Sequence, residues 1–315
     1  MWWMHFDGNN PVLVDHPKAA FNAFLMMRFE ESQIMGELLA EVRASLARYA
    51  INVLRADQRS YADSLWNNVR LYMDACDLGI AIFSHTATHD FNPNVSLELG
   101  YMMASEKRVL LLKDRNLPRL HSDLVGHLYR AFDPKDVVST VQIATIEWLR
   151  DIGIAKSPTQ KLVLFVSDGG TCRCAMSKIV AQQAFAGRSL PFALRFESMA
   201  ATYGNAVYAS NGARQAIQEA FGQDLLQSHR VMRRNPGIIE DADLILVMEK
   251  RLAGDLPAEK TRLITELFGE CGEIQNPWPD FNVGASDRYR DCLAQLRSLI
   301  EPFPDRLLQA LVRAE

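Results

Sequence analysis

Short apolar runs alternate with amphipathic segments along residues 20–133. The runs have the length of β-strands and lie at residues 20–29, 51–57, 78–84, 107–114 and 128–132. The segments between them, at residues 30–50, 61–76 and 95–106, predict helices. In the first of these, Leu38, Val42 and Leu46 recur on one helical face. This β-α alternation predicts a doubly wound parallel sheet.

The same alternation resumes after residue 160. Residues 133–160 open with Asp-Pro and close with the run 156–160, which is typical of a linker, so we predict a connecting helix followed by a linker. Strands are predicted at residues 161–168, 242–250 and 270–280, the last leading into a proline-punctuated loop. A second parallel sheet follows from this pattern. We therefore predict domains at residues 1–133 and 161–315, with residues 134–160 connecting them.

The composition of the chain argues against nucleic-acid binding, membrane insertion, a disulfide framework and a metal site. The 315 residues carry a formal net charge of -4, so no global basic field predicts nucleic-acid binding. No apolar run reaches membrane-spanning length. The five cysteines are an odd, scattered set, which favours a reducing cytoplasm over a disulfide framework. Cys172 and Cys174 have no further His or Cys pair at zinc-binding spacing, so we expect no metal site.

Polar residues lie near the ends of the predicted strands in the first half. They are Arg28, Arg55, Asp57, Asp77, Asp90, Asn92, Asn94 and Glu98. Ligands of open parallel sheets bind beyond the carboxyl ends of the strands. A carboxylate there can stabilise or attack the cation that forms when an N-glycosidic bond breaks. Arginines suit phosphate groups, so these residue types predict a nucleotide or nucleoside pocket.

Each acidic residue also has a plain structural interpretation. Glu98 could be an acid favoured by the dipole at a helix start. Asp57 could cap a strand end, and Asp77 could belong to a helix-to-strand turn. The run Asn-Pro-Asn-Val-Ser-Leu-Glu-Leu-Gly at residues 92–100, coming after a buried strand, favours a ligand site over these interpretations.

Residues 20–133, and best 77–113, resemble the nucleoside 2-deoxyribosyltransferase-like and TIR-like nucleotide-binding domains. The matching features are a Glu before a Gly on the helix, a small-residue helix and a Lys-led apolar strand. The resemblance implies that Glu98 cleaves the glycosidic bond of a nucleoside, nucleotide or NAD. It implies that Asp77, Asp90 and Asn94 lie near the sugar and that Arg28 contacts the ligand. The extended loop of signalling TIR adaptors is missing, so the deoxyribosyltransferase-like branch is closer.

A glycine-rich loop joins strand to helix in the second half. Its residues Ser167, Gly169, Gly170 and Arg173 suit an oxyanion cradle made of backbone N–H groups and one guanidinium. With the downstream runs at residues 196–204 and 238–250, residues 161–303 resemble low-molecular-weight protein tyrosine phosphatases and their arsenate-reductase relatives. That family uses a Cys nucleophile, a Ser or Thr after the loop Arg, and an Asp-Pro general acid.

This chain departs from the family at all three chemical positions. Ser167 stands at the nucleophile, Cys174 follows the Arg, and Asn276 replaces the acid. An unactivated hydroxyl is a weak nucleophile, and an amide cannot donate a proton as a carboxylic acid does. Asp280 could supply an acid, but Ser167 would still lack activation. Cys172 occupies a family position linked to redox partnering. We predict a pseudophosphatase that binds a phosphorylated or anionic ligand through Arg173, serves as a partner surface, or is kept for packing and dimerisation.

The combined prediction is α/β, with a flavodoxin-like N-terminal domain and a low-molecular-weight phosphatase-like C-terminal domain. The first domain is expected to act as an N-glycosidase or transferase on a nucleotide or NAD, without a cofactor. The second is expected to sense or scaffold, an architecture that suggests a role in defence. The alternatives are a non-catalytic nucleotide sensor and a phosphatase. We expect no membrane partner and leave homo-oligomerisation open.

Overall fold

The computed structural model describes residues 10–18, 20–28, 30, 32–85, 93–117, 128–202, 204–278 and 285–313. The chain divides into two compact units, Met1–Ala155 and Lys156–Glu315. Each contains one parallel sheet flanked by helices. The prediction of two parallel-sheet α/β domains is confirmed.

The first unit is a five-stranded parallel sheet with strand order β2-β1-β3-β4-β5. Its strands are β1 (Phe21–Met26), β2 (Ile51–Leu54), β3 (Leu78–Phe83), β4 (Arg108–Asp114) and β5 (Arg130–Phe132). Its helices are α1 (Pro11–Asp15), α2 (Gln33–Ala47), α3 (Leu65–Ala75), α4 (Pro93–Ala104) and α5 (Val137–Asp151). The chain reverses its direction of travel across the sheet between β1 and β3, as in flavodoxin-like folds.

The centre of this sheet is tightly packed against α4. Every residue of β3 is buried. A Cβ atom at Gly79 would lie 3.0 Å from the methyl carbon of Met26 and 3.1 Å from that of Met102. Helix α4 therefore packs closely against β3 at this point. This contact fixes the distance between the sheet and the residues of α4.

Helix α5 falls within the segment predicted to connect the domains. It packs against α2, the edge strand β5 and its neighbour β4 in the first unit. Its apolar face, including Val141, Trp148 and Leu149, is buried there. The helix is thus part of the first unit, and the division of the chain coincides with the start of the predicted linker run at residues 156–160.

The second unit is a four-stranded parallel sheet with order β7-β6-β8-β9. Its strands are β6 (Gln160–Ser167), β7 (Ala193–Ala200), β8 (Leu244–Val247) and β9 (Thr261–Leu263). Its α-helices are α6 (Arg173–Phe185), α7 (Asn211–Phe221), α8 (Pro236–Asp241), α9 (Ile264–Leu267), α10 (Ala285–Ile300) and α11 (Pro304–Arg313), and a 3-10 helix spans Lys250–Ala253.

The predicted strand at residues 270–280 is wrong. Its described part, through Trp278, forms no strand. Gly272 adopts a left-handed φ of 89°, and the Asn276 side chain accepts a hydrogen bond from the Trp278 N–H, so this backbone turns. The sheet is completed instead by β9, whose three residues are too few to give a periodic signal.

Strand β7 was also not predicted as a strand. Arg195 and Glu197 interrupt its apolar pattern. They form an ion pair of 3.0 Å, and Lys178 of α6 lies 2.7 Å from Glu197. This ion-pair cluster lets charged residues sit in a strand that is otherwise largely buried. Within the described ranges of both units, no helix is long and apolar enough to cross a bilayer.

Candidate functional site

Glu98 lies in the second turn of α4, on the flank of its buried face. Val95 and Met102, three and four positions away, are buried, so the Glu98 side chain is directed along the packed side of the helix. Burial raises the pKa of Glu98 to about 7. None of the described residues donates a hydrogen bond or pairs with this carboxyl group. Desolvation without a compensating partner is therefore the cause of the shift.

Two predicted arginines follow strands at the same edge of the sheet, and each has an acidic partner. Arg28 follows β1 and lies 3.2 Å from Glu30. Arg55 follows β2 and lies 2.5 Å from Asp57. All strands of a parallel sheet end at the same edge. These pairs therefore lie at the edge where β3 ends and α4 begins.

Asp77 lies at the opposite edge. It immediately precedes β3, where it accepts hydrogen bonds from Lys18 at 2.6 Å and from the Asn22 N–H at 3.2 Å. The six residues of β3 span roughly 17–20 Å, so Asp77 is a structural residue of the amino edge and is not brought to Glu98. Asn94 lies in the first turn of α4. Asp90 and Asn92 lie outside the described residues.

The carboxyl edge also contains a buried charged pair that sequence reasoning missed. Lys113 and Asp114 end β4 and are both buried. Asp114 accepts hydrogen bonds from the N–H groups of His85, at 3.1 Å, and Asn116, at 2.8 Å. It therefore anchors the chain where it leaves β3. In the sequence, this site could have been found from two adjacent charged residues at the end of an apolar strand.

The strand order predicts a crevice at this edge. β1 and β3 are neighbours, and the connections that follow them leave the sheet in opposite directions. In such sheets the crevice opens at the carboxyl ends of these two strands. Arg28 follows one of them, while His85 follows the other and leads toward α4 with Glu98.

In the second unit, the loop after β6 depends on one glycine. Gly170 has a left-handed φ of 69°, and a Cβ atom there would lie 2.8 Å from Val231 and 3.0 Å from Ala200. Gly169 has open space around it, with nothing nearer than 3.9 Å. The loop conformation therefore requires glycine at residue 170 but not at residue 169.

Residues outside this loop form hydrogen bonds with its carbonyl oxygens. The Thr202 N–H donates to Asp168 at 3.0 Å, and the Ser210 N–H donates to Thr171 at 3.0 Å. His229 Nε2 lies 3.2 Å from the Gly170 carbonyl oxygen. Within the part of the chain that the structure describes, the N–H groups from Gly169 to Cys172 have no acceptor. Those N–H groups are the available binding groups of the loop.

Ser167 is not placed as a nucleophile. It is buried at the end of β6, and its hydroxyl donates to the sulfur of Cys174 at 3.0 Å. Burial raises the pKa of Cys174 to about 11, although the Ser167 hydrogen bond opposes that shift. Cys174 is therefore a neutral thiol and not a base that could take the Ser167 proton.

Arg173 is already neutralised by carboxylates of its own chain. Its guanidinium, 2% exposed, pairs with Glu249, donates to the Ile274 carbonyl at 2.9 Å and lies 3.3 Å from Asp168. Arg251 pairs with the same two carboxylates. The quartet of Asp168, Arg173, Glu249 and Arg251 thus has no net charge. Glu249 and Arg251 were missed by the sequence analysis, since nothing in the chain order connects residues near 250 with the loop.

A cavity of about 880 Å³ opens above this loop. It brings Asn276 together with Ser167, Gly169, Gly170 and Arg173 of the loop, about 100 positions earlier in the chain. It is also lined by Asp168, Thr171, Cys172, Thr202, Gly204, Asn205, Ala206, Tyr208, Ala209, Ser210, Asn211, Gly212, Gln215, Pro277, Trp278 and Tyr289. Asp280 lies outside the described residues. Across the described ranges, no cluster of three or more His, Cys, Asp or Glu could hold a metal ion.

No protein-family model matches this chain, and no curated protein matches it. Solved structures with a similar fold are low-molecular-weight phosphatases. The enzyme from T. tengcongensis is 24% identical and matches over 47% of this chain and 98% of its own length, with a TM-score of 0.40. An arginine phosphatase from Geobacillus stearothermophilus is 22% identical, over 49% of this chain and 97% of its own length, with a TM-score of 0.40. A phosphotyrosine phosphatase from Vibrio cholerae O395 is 18% identical, over 47% and 97%, with a TM-score of 0.41. Each of these matches spans about half of this chain and nearly the whole of the other protein.

Proposed function

We propose that the first unit binds a nucleotide or NAD at the carboxyl edge of its sheet and breaks the N-glycosidic bond, with Glu98 as the catalytic carboxylate. The observation that carries this proposal is the state of Glu98. It is a half-buried carboxyl group with a pKa of about 7 and no partner among the described residues, on the helix that follows the central strand β3. Strongly perturbed carboxyl groups in a crevice favour a functional site over a structural one.

The chemistry follows from the charge that forms at the sugar. As the bond between the sugar C1′ and the base nitrogen breaks, the base leaves with the electron pair and C1′ becomes cationic. The ionised Glu98 carboxylate stabilises that cation or bonds to it. Water then adds its oxygen to C1′, and any bond between Glu98 and C1′ breaks with its electron pair returning to the carboxylate. One water proton stays on the new hydroxyl, and the other is released or taken up by the leaving base. A ligand with a positively charged base favours ionised Glu98 because opposite charges lower a carboxyl pKa.

The second unit is proposed to be catalytically silent. A phosphatase of this design needs an ionisable nucleophile, a free arginine and a proton donor. Here the nucleophile position is a buried hydroxyl bonded to Cys174, the arginine is paired, and Asn276 cannot donate a proton as an acid does. The unit is left with a loop and a cavity, which suit a sensor or scaffold.

The experiment measures base release. The full chain is incubated with NAD, NADP, nucleoside monophosphates and deoxynucleosides, and the free base is quantified by chromatography. Glu98→Gln is compared with Glu106→Gln, an exposed glutamate beyond the end of the same helix. We expect Glu98→Gln to lower the rate by at least about 100-fold and the control to retain it. Equal release by wild type and Glu98→Gln, or none with any ligand, would contradict the proposal.

Binding without cleavage is the second candidate. It is favoured by the same pKa, because a carboxyl group protonated in about half of the molecules at neutral pH can donate a hydrogen bond to a ligand. Calorimetry that shows binding, with the ligand recovered intact, would support this alternative. Phosphatase activity is tested separately with phenyl phosphate. Turnover by wild type that is lost in Ser167→Ala would contradict a silent second unit.

A further inference from the structure

We propose that the cavity of the second unit binds an uncharged planar ring that has a carbonyl group, of the kind found in a nucleobase or nicotinamide, and excludes phosphate. Three observations carry this inference. The charges of the lining residues cancel, two exposed aromatic side chains border the cavity, and the loop has N–H groups without acceptors among the residues that the structure describes. The site is argued from the second unit alone and does not depend on turnover in the first unit.

Arg173 is already held by carboxylates that would compete with an incoming anion. Of the described lining residues, only Asp168 and Arg173 are charged, and they lie 3.3 Å apart. Glu249 also holds the Arg173 guanidinium. A phosphate entering the loop would have to replace these carboxylates and then lie beside them. Breaking a buried ion pair costs about 3–5 kcal/mol, so an anion is disfavoured relative to a neutral ligand.

Two aromatic side chains, Trp278 and Tyr208, border the cavity. They are 55% and 56% exposed, although large aromatic side chains are usually mostly buried, and both line the cavity. The Arg230 guanidinium lies over one face of Tyr208, 5.4 Å from the ring centroid, so Trp278 is the ring assigned to stacking. Aromatic faces stack on flat rings for about 1–3 kcal/mol per base in nucleic-acid-binding proteins. The amides of Asn205 and Gln215 line the same space and can donate and accept hydrogen bonds at a ring edge.

The N–H groups of the loop can donate hydrogen bonds to an oxygen atom of the ligand. The N–H groups from Gly169 to Cys172 have no acceptor among the described residues. A carbonyl oxygen accepts hydrogen bonds from such donors without bringing a formal charge near Asp168. A carbonyl-bearing ring therefore satisfies the loop, the aromatic walls and the neutral lining together.

The experiment titrates the full chain with nicotinamide, hypoxanthine, inorganic phosphate and phenyl phosphate, using calorimetry. We expect at least one ring compound to bind at least about tenfold more tightly than either phosphate. Trp278→Ala is expected to weaken ring binding by at least about tenfold. Trp66→Ala, which removes a half-exposed tryptophan of the first unit, is expected to leave it unchanged. That control separates the loss of a cavity side chain from the loss of any exposed tryptophan.

A second variant tests the charge argument. Glu249→Gln removes one carboxylate from Arg173 while keeping its shape, so phosphate affinity is expected to rise by at least about tenfold. Phosphate binding as tight as ring binding in the wild type would overturn the proposal. So would the lack of any ring binding at about 10 mM, or equal losses in Trp278→Ala and Trp66→Ala. An unchanged phosphate affinity in Glu249→Gln would contradict the charge argument.

Discussion

The hydroxyl of Ser167 donates a hydrogen bond to the sulfur of Cys174 across 3.0 Å, and both side chains are buried. The two residues come from opposite ends of the loop, one closing β6 and the other in the first turn of α6. The Ser167 hydroxyl and the Cys174 thiol therefore contact each other, and this pair supplies neither a thiolate nor an activated hydroxyl.

The cysteines give the first prediction. Cys271 is exposed, whereas Cys76, Cys172, Cys174 and Cys292 are buried. Burial also raises the pKa of Cys174 to about 11 and that of Cys292 to about 12, so their thiolate fractions at pH 8 are very small. We expect iodoacetamide to label Cys271 alone in the native protein and all five cysteines after denaturation, as measured by mass spectrometry. Rapid native labelling of Cys174 would contradict the described loop.

The raised pKa of Glu98 gives a pH-dependent stability. Its pKa in the folded chain, about 7, lies above its ordinary value of 4.5. Between these values the unfolded chain loses the proton first, so the free energy of unfolding falls as pH rises from about 4.5 to 7 and is constant above that range. Glu98→Gln removes this penalty. We expect the variant to gain about 1–3 kcal/mol relative to wild type at pH 8 and little at pH 4.5, by urea unfolding.

Glu106→Gln serves as the control for that measurement. It lies beyond the end of α4 and is exposed. Its effect on stability is expected to be the same at every pH. A stability gain in Glu98→Gln that does not depend on pH would show that the carboxyl group is ionised throughout.

The loop glycines give a matched pair of substitutions. Gly170→Ala places a Cβ atom 2.8 Å from Val231 in a left-handed backbone, so we expect a loss of about 1–3 kcal/mol in the free energy of unfolding of the second unit. Gly169→Ala meets nothing nearer than 3.9 Å and is expected to cost less than about 0.5 kcal/mol. Thermal melts of the two variants check the difference, and equal melting temperatures would contradict the loop geometry.

The two arginines of the quartet are expected to differ in how much each contributes to the free energy of unfolding. Arg173 is 2% exposed, and Arg173→Ala leaves Glu249 and Asp168 without their buried partner. We expect a loss of about 3–5 kcal/mol. Arg251 is 57% exposed, so Arg251→Ala is expected to cost less than about 1 kcal/mol. Urea unfolding compares the two variants, and the ranking would be disproved by an equal or larger loss in Arg251→Ala.

Sequence patterns determined the elements in which apolar residues run without interruption. β1, β3, β4 and β6 were all predicted, because a buried parallel strand requires apolar side chains on both faces. Helix α4 and the glycine-rich loop were likewise predicted from local patterns. The pattern failed where tertiary contacts replace local preference: Arg195 and Glu197 are tolerated in β7 because Glu197 forms ion pairs with Arg195 and with Lys178 on α6.

Only the tertiary structure decided which polar residues share a site. Asp77 and Glu98 are close in the sequence, but β3 lies between them and carries the chain to the other edge of the sheet. Arg173 and Glu249 are 76 residues apart in the chain, yet they form a buried ion pair because β6 and β8 are adjacent. The sequence by itself determined the two sheets and the residue types at their edges. The state of those residues was decided by strand order, because strand order sets which chain segments meet at each edge. It left Glu98 without a partner among the described residues and Arg173 neutralised.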